Sequence, residues 1–193
     1  MKFFIKQRFN IGNKGVTLIE TLIAVGLFIL VALALFGVYE VFGKIYNLGG
    51  AHFTAVGGSR STLTQLSNFT SQANRILQSS AINGVNYVSG TTTLVLRLPA
   101  IDFAGKTIDN TWDYAVFYVS STNFYSYLET STTSARSGGL KLLSNAIVSV
   151  SFSYDNVDFT QVRKVTAEVF TRAVENRVPM ESRASEQIFL KNY

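Results

Sequence analysis

Apolar residues form one uninterrupted run near the N-terminus of this chain and alternate with polar residues further along. From Thr21 to Tyr39 the sequence contains no Asp, Glu, Lys, Arg or His. A helix of this length spans about 28 Å, close to the roughly 30 Å hydrocarbon core of a bilayer. Apolar side chains occupy all sides of the helix, whereas a soluble amphipathic helix keeps a polar face. The run therefore predicts a membrane-spanning helix.

A second helical segment is predicted from about Ser59 to Ser80. Its apolar residues recur at three- and four-residue steps, at Leu63, Leu66, Phe69, Ala73, Ile76 and Leu77. Between the two helical patterns lie Gly43, the pair Gly49-Gly50 and the pair Gly57-Gly58. Each glycine weakens helix propensity by up to about 1 kcal/mol, so we expect bending or local melting there.

Beyond residue 90 the hydrophobic period changes to two, which is typical of strands with one buried face. This alternation predicts strands at 93–98, 148–154 and 164–169. The continuous apolar run 114–119 predicts a central strand, and 124–128 is predicted to pair with it. The turn at 120–123 would join two of them in a hairpin. The polar segments 130–139 and 175–187 predict exposed loops. Short connections favour an antiparallel meander of roughly four to six strands, so the expected fold class is α+β, with the second helical segment packed on the sheet.

The positive charge of the chain is concentrated at its start. The formal net charge is +5, and four of these charges, Lys2, Lys6, Arg8 and Lys14, lie in the first fifteen residues without any acid. The rest of the chain carries +1, with no basic run interleaved with aromatic residues, so we predict no nucleic-acid partner. Basic residues before a membrane helix stay cytoplasmic, which predicts that the C-terminal part lies outside the cytoplasm.

The residue inventory excludes several kinds of chemistry. The chain has no cysteine and one histidine, His52, so it can form neither a disulfide nor a cysteine or multi-histidine metal site. The remaining candidate carboxylates are Asp102, Asp109, Asp113, Asp155 and Asp158. Their spacing fits no EF-hand loop, and no nucleophile, base and orienting group can be assembled. We interpret them as solvated turn acids and predict no catalytic residue, metal or cofactor, hence no enzyme.

Four aromatic residues lie close together in the sequence, at Trp112, Tyr114, Phe117 and Tyr118. They admit two interpretations, a sugar-binding face or the core of a sheet. The sheet core is favoured.

The most informative string is Lys14-Gly15-Val16-Thr17-Leu18-Ile19-Glu20, which places one acid at the start of the apolar run. An ionised carboxylate near the hydrocarbon boundary costs a few kcal/mol, so a functional partner is expected for it. Cleavage after Gly15 would create a positively charged amine at Val16, either one helical turn from Glu20 or on a neighbouring subunit.

This string resembles the prepilin signal of the type IV pilin and type II secretion pseudopilin superfamily, which combines a basic leader, Gly, an apolar residue and Glu at the fifth mature position. Gly15, Val16 and Glu20 match that pattern, although the family usually has Phe where this chain has Val16. The resemblance implies that a prepilin peptidase cuts after Gly15 and methylates the amine of Val16. It also implies that Glu20 sets subunit register by pairing with the amine of an adjacent subunit.

The same resemblance implies an organisation and a set of partners. Residues 1–15 would be a leader, residues 16–42 a helix that is held in the membrane before assembly and then forms the filament core, and residues 43–193 a pilin-like head. The implied partners are other pilin subunits, the peptidase, a motor ATPase and an inner-membrane assembly platform. The head segments 90–99, 112–118 and 148–155 resemble minor pilins and J-type pseudopilins. The superfamily includes surface pili, DNA-uptake filaments and secretion pseudopili.

Three simpler alternatives stand beside this interpretation. The apolar run could be an ordinary signal anchor, or a secretory signal peptide cut after Ala32-Leu33-Ala34. Alternatively, the chain could be a membrane-anchored binding or sensor domain that never polymerises. N-terminal sequencing separates the first two from the prepilin hypothesis, because a prepilin would begin at Val16, a secreted protein at Leu35 and a plain anchor at Met1.

Overall fold

The computed structural model describes residues 15–175 and 177–191 of the chain. The chain forms two compact units, of which the first ends at Ile45 and the second begins at Tyr46. The elements, in chain order, are α1 (Leu18–Gln72), β1 (Arg75–Ile76), β2 (Ser79–Ile82), β3 (Val85–Val88), β4 (Thr93–Ile101), β5 (Thr107–Ser120), β6 (Asn123–Glu129), β7 (Gly139–Ser144), β8 (Ile147–Tyr154), β9 (Lys164–Glu175) and β10 (Val178–Phe189). One long helix followed by antiparallel strands confirms the predicted α+β class.

The ten strands form three sheets, all with antiparallel pairing. The orders are β1-β4-β5-β6-β7, β10-β9-β8 and β2-β3. Each of the five predicted strands lies within β4, β5, β6, β8 or β9, and the predicted β5–β6 hairpin is present, with Ser120 opposite Asn123. The single meander of four to six strands was too simple a prediction, because short and polar strands extend and cover the sheets.

The local melting predicted at the glycines is wrong, since α1 continues through Gly43, Gly49-Gly50 and Gly57-Gly58. Just beyond the second of these positions, Ala51, Ala55 and Ser59 form a buried stripe at four-residue steps. Each glycine near this stripe costs the helix about 1 kcal/mol, and packing along the stripe outweighs that cost.

The helix ends at Gln72, earlier than the predicted boundary at Ser80. The backbone turns away at this point because the N–H of Asn74 donates to the carbonyl oxygen of Arg97 in β4 at 2.8 Å. Arg75 and Ile76 then pair with β4 as the short strand β1. The last apolar residues of the predicted helix therefore belong to a sheet edge.

Segment 175–187, predicted to be an exposed loop, is instead most of a strand. Residues Val178–Phe189 pair with β9 over its whole length, from Val178 opposite Glu175 to Phe189 opposite Lys164. The polar sequence of β10 reflects its position at the end of the sheet and its polar contacts with α1, where Ser182 lies 3.1 Å from the hydroxyl of Ser59 and Glu186 accepts from Ser67 at 2.8 Å.

One hydrophobic core joins the C-terminal part of α1 to the two larger sheets. It includes Leu66, Leu96, Phe117, Phe124 and Phe152. A second, small cluster lies on the opposite face of the five-stranded sheet, where Ile82 of the β2–β3 hairpin covers Val95 and Val116. The prediction of one buried face for β4 was therefore incomplete, because a hairpin made of Ser79–Ile82 and Val85–Val88 covers part of the other face.

The alternation predicted for β8 fails at one position. The pairing between β8 and β9 shifts between Ile147 and Ser149, which leaves Val148 exposed and buries Ile147 instead. Val150 and Phe152, beyond the shift, are buried as predicted. A bulge of this kind places one extra residue in a strand, and its position cannot be read from the hydrophobic pattern.

Candidate functional site at the start of the long helix

The first part of α1 exposes its apolar side chains around the whole helix. Residues 15–46 are all exposed, and the large apolar residues among them include Leu22, Phe28, Leu33 and Phe36. Within the described residues this is the one helix that is long and apolar enough to cross a membrane. The predicted membrane-capable helix is thereby confirmed.

The proposed cleavage position lies just before the helix. Gly15, Val16 and Thr17 are exposed and non-helical, and α1 begins at Leu18. The predicted leader, apart from Gly15, lies outside the described residues. Cleavage and methylation at Gly15 and Val16 stay predictions, but the peptide bond between them is not enclosed in a helix.

Glu20 lies in the first turn of α1 and makes a reciprocal set of hydrogen bonds with Thr17. The backbone N–H and the hydroxyl of Thr17 both donate to Oε2 of Glu20 at 3.0 Å, and the N–H of Glu20 donates to the Thr17 hydroxyl at 3.3 Å. This is a capping box, in which two side chains satisfy N–H groups that have no partner inside the helix. The negative charge also lies at the positive end of the helix dipole.

The sequence interpretation overlooked Thr17 and considered only the Val16 amine, in the same chain or in a neighbouring subunit, as a partner of Glu20. The signal was present, because Thr17-Leu18-Ile19-Glu20 has the spacing T-x-x-E directly before an apolar run. Glu20 therefore has an intramolecular partner already. Its charge is the property that capping does not require, since a glutamine at this position can also complete a capping box.

Among the candidate carboxylates, Asp113 differs most from its predicted environment. It is fully buried, so the prediction of a solvated turn acid is wrong for this residue. It accepts from the N–H of Ser131 at 2.8 Å, from the hydroxyl of Ser134 at 2.7 Å and from the guanidinium of Arg136 at 2.8 Å. Arg136 also donates to the carbonyl oxygen of Pro99. Segment 130–139 was predicted to be an exposed loop; its residues up to 138, before β7 begins, are anchored to the sheet by one buried carboxylate.

Other candidate carboxylates do organise turns, as predicted. Asp102 accepts from the N–H groups of Ala104 and Lys106 at 2.9 and 2.8 Å. The hydroxyl and backbone N–H of Thr160 donate to Asp158 and hold the pKa of that carboxyl below its ordinary value. Within residues 15–175 and 177–191, no group of three or more His, Asp or Glu residues is placed to hold a metal ion.

Comparisons of the chain with protein-family models, with curated proteins and with solved structures found no match.

Proposed function

We propose that this chain is a non-enzymatic subunit of a helical filament of the type IV pilus or type II secretion kind, held in a membrane by α1 before assembly. The exposed apolar surface of α1 carries this proposal. The antiparallel sheets that follow the helix are compatible with a pilin-like architecture.

Exposure of this surface to water would be strongly unfavourable. Burial of one large apolar side chain contributes about 1.5–3 kcal/mol, and α1 exposes such side chains from Leu18 to Leu48. A bilayer covers about twenty helical residues, so a membrane accounts for the first part of this stretch. Packing against the helices of other subunits would cover the same residues after the chain leaves the membrane. We propose that the helix serves both states in turn.

Glu20 and the N-terminus give the proposal its specific form. We propose that a prepilin peptidase removes residues 1–15, that the new Val16 amine is methylated, and that Glu20 pairs with this amine on a neighbouring subunit. Within one chain Glu20 already accepts from Thr17, and a carboxylate has capacity for further hydrogen bonds. The leader carries four of the five net positive charges, so its removal leaves a head close to neutral.

The capping box favours a second candidate function. If Glu20 serves only to cap the helix, its presence at the membrane boundary is explained without a filament. The chain would then be a membrane-anchored binding or sensor domain outside the cytoplasm. The two functions differ in whether assembly depends on the charge of Glu20 or only on the hydrogen bonds between Glu20 and Thr17.

A set of four variants separates the charge from the cap. Glu20→Gln keeps a capping side chain and removes the charge, whereas Glu20→Ala removes both. Thr17→Ala weakens the cap and keeps the charge, and Thr17→Ser is its matched control. Each variant is expressed in the native host; its N-terminus is determined by mass spectrometry, and its share of the sheared filament fraction is measured by immunoblot.

We expect the mature wild-type chain to begin at a methylated Val16. Glu20→Gln and Glu20→Ala should both reduce incorporation into filaments at least tenfold, with membrane levels unchanged, while Thr17→Ala and Thr17→Ser assemble. Normal incorporation of Glu20→Gln would refute the charge-based mechanism. A wild-type chain that starts at Met1 and is absent from every filament fraction would favour the anchored domain.

A further inference from the structure

The pairing of β4 with β5 contains a large irregularity beside the only tryptophan of the chain. Pro99 pairs with Trp112 and Ile101 pairs with Thr107, so one residue of β4 faces four residues of β5. Within these four, Asn110 has a φ of 54°, a left-handed conformation that non-glycine residues seldom adopt. Asparagine adopts this conformation more readily than other non-glycine residues, so Asn110 fits the turn that the extra residues of β5 make.

Two open grooves meet at the Trp112 side chain. One has a volume of about 420 Å³ and is lined on its polar side by Asp109 and Asn110. The other has a volume of about 390 Å³ and includes Tyr114, Glu129 and the residues that follow it. Both volumes lie within the range of roughly 300–1,000 Å³ found for small-molecule sites. The half-buried Trp112 thus lines both grooves.

The polar groups of the first groove are free to receive a ligand. Among the described residues, neither the carboxylate of Asp109 nor the side-chain amide of Asn110 has a hydrogen-bond partner, and both residues are exposed. A carboxylate accepts hydrogen bonds, and an amide both donates and accepts. Trp112 is held in place because the guanidinium carbon of Arg97 lies 4.1 Å from the centroid of its ring.

From this arrangement we infer that the Trp112 surface, made of Trp112, Tyr114, Asp109, Asn110 and Glu129, binds a neutral saccharide. An aromatic ring with a negatively polarised face packs against the C–H face of a sugar ring, and neighbouring acceptors and donors bind its hydroxyl groups. The surface lies in the second unit of the chain, so the inference does not depend on whether the chain polymerises.

The charges of the surface exclude other classes of ligand. Asp109 and Glu129 repel an anionic ligand, such as a phosphate or a sulfated sugar. Arg97 already occupies one face of the indole, so this face is not open to the ring contact that a cationic ligand would make. A purely apolar ligand would desolvate the carboxylates and the Asn110 amide without replacing their hydrogen bonds. A neutral molecule rich in hydroxyl groups meets none of these penalties.

The test uses the full-length chain in phospholipid vesicles that contain no other protein, since alkyl glycoside detergents would compete for the surface. The chain is applied to an array of neutral and acidic glycans, and the strongest neutral binder is titrated while the fluorescence of Trp112 is recorded, because no other tryptophan contributes. Asn110→Gly removes the amide and accepts the left-handed backbone. Ser121→Gly is its matched control, since Ser121 has a φ of 58° in the β5–β6 turn.

We expect saturable binding of at least one neutral glycan with a shift of Trp112 emission, a loss of affinity of at least tenfold in Asn110→Gly, and less than a twofold change in Ser121→Gly. Trp112→Ala should lose the array signal, whereas Phe103→Ala, which removes an aromatic side chain that is 98% exposed on a nearby turn, should retain it. The inference is overturned if no neutral glycan binds, if acidic glycans are preferred, or if the affinity of Asn110→Gly is unchanged. The Asn110→Gly result decides the question even if Trp112→Ala does not fold.

Discussion

The buried pair of Asp113 and Arg136 gives the sharpest prediction about stability. The Asp113 side chain is 0% exposed and that of Arg136 is 12% exposed, with 2.8 Å between the carboxylate and the guanidinium. Asp113→Ala removes the acceptor of Ser131, Ser134 and Arg136 in one step. Removal of one partner from a buried ion pair costs about 3–5 kcal/mol. Because Arg136 keeps its bond to the carbonyl oxygen of Pro99 and a contact with Gln72, we expect the lower end, about 3 kcal/mol.

The free energy of unfolding is measured by urea titration of the full-length chain in phospholipid vesicles that contain no other protein, with Trp112 fluorescence as the signal. Asp109→Ala is the control, since this exposed acid lies in the same strand and should change stability by less than about 0.5 kcal/mol. The double variant Asp113→Ala, Arg136→Ala should lose less stability than the sum of the single variants, because no unpaired charge remains. A loss below about 1 kcal/mol in Asp113→Ala would refute the reasoning.

Two further outcomes follow from other contacts. Gly49→Ala should stabilise the helix by up to about 1 kcal/mol in the same urea titration, because an added Cβ at Gly49 meets nothing within 4 Å. Gly50→Ala should gain less stability, since its Cβ would lie 2.2 Å from Oε2 of Glu175 and that side chain must move. Burial raises the pKa of the Tyr154 hydroxyl in the folded chain. The contribution of Tyr154 to stability is therefore complete below the ordinary tyrosine pKa of about 10, and it falls by about 1.4 kcal/mol per pH unit above pH 10, where the unfolded chain loses this proton. Tyr154→Phe loses the bond to the Gly90 carbonyl oxygen at 2.9 Å and should be less stable at pH 7, but its disadvantage should shrink above pH 10; a constant difference between pH 7 and pH 11 would contradict this assignment.

Local sequence patterns predicted the elements whose burial is one-sided or complete. The run from Thr21 to Tyr39 could be predicted because its residues are apolar on all sides of the helix, and the central strand β5 because residues 114–119 are continuously apolar. The strands β4, β8 and β9 could be predicted because every second side chain has the same environment. Within the candidate site, Gly15, Val16 and Glu20 were chosen by their spacing and its resemblance to a prepilin signal, and their roles stay predictions. Thr17 could have been found in the same way, because the capping box is also a local pattern.

Elements that depend on distant neighbours were missed. The strand β10 reads as a polar loop because its partners on α1 are themselves polar, as in the contact between Ser59 and Ser182. The burial of Asp113 depends on a loop about twenty residues further along the chain, which supplies Ser131, Ser134 and Arg136. Neither the sequence around β10 nor that around Asp113 contains this information.

The sequence by itself determined that the chain has an apolar helix able to cross a membrane, a basic segment before it and an antiparallel α+β head, because helix and strand periodicity and local charge are properties of neighbouring residues. Only the tertiary structure decided that the helix continues through its glycines, which acid is buried, and that an irregular segment of β5 lies beside Trp112. These features depend on contacts between residues far apart in the chain, whose packing outweighs local preferences of about 1 kcal/mol per residue.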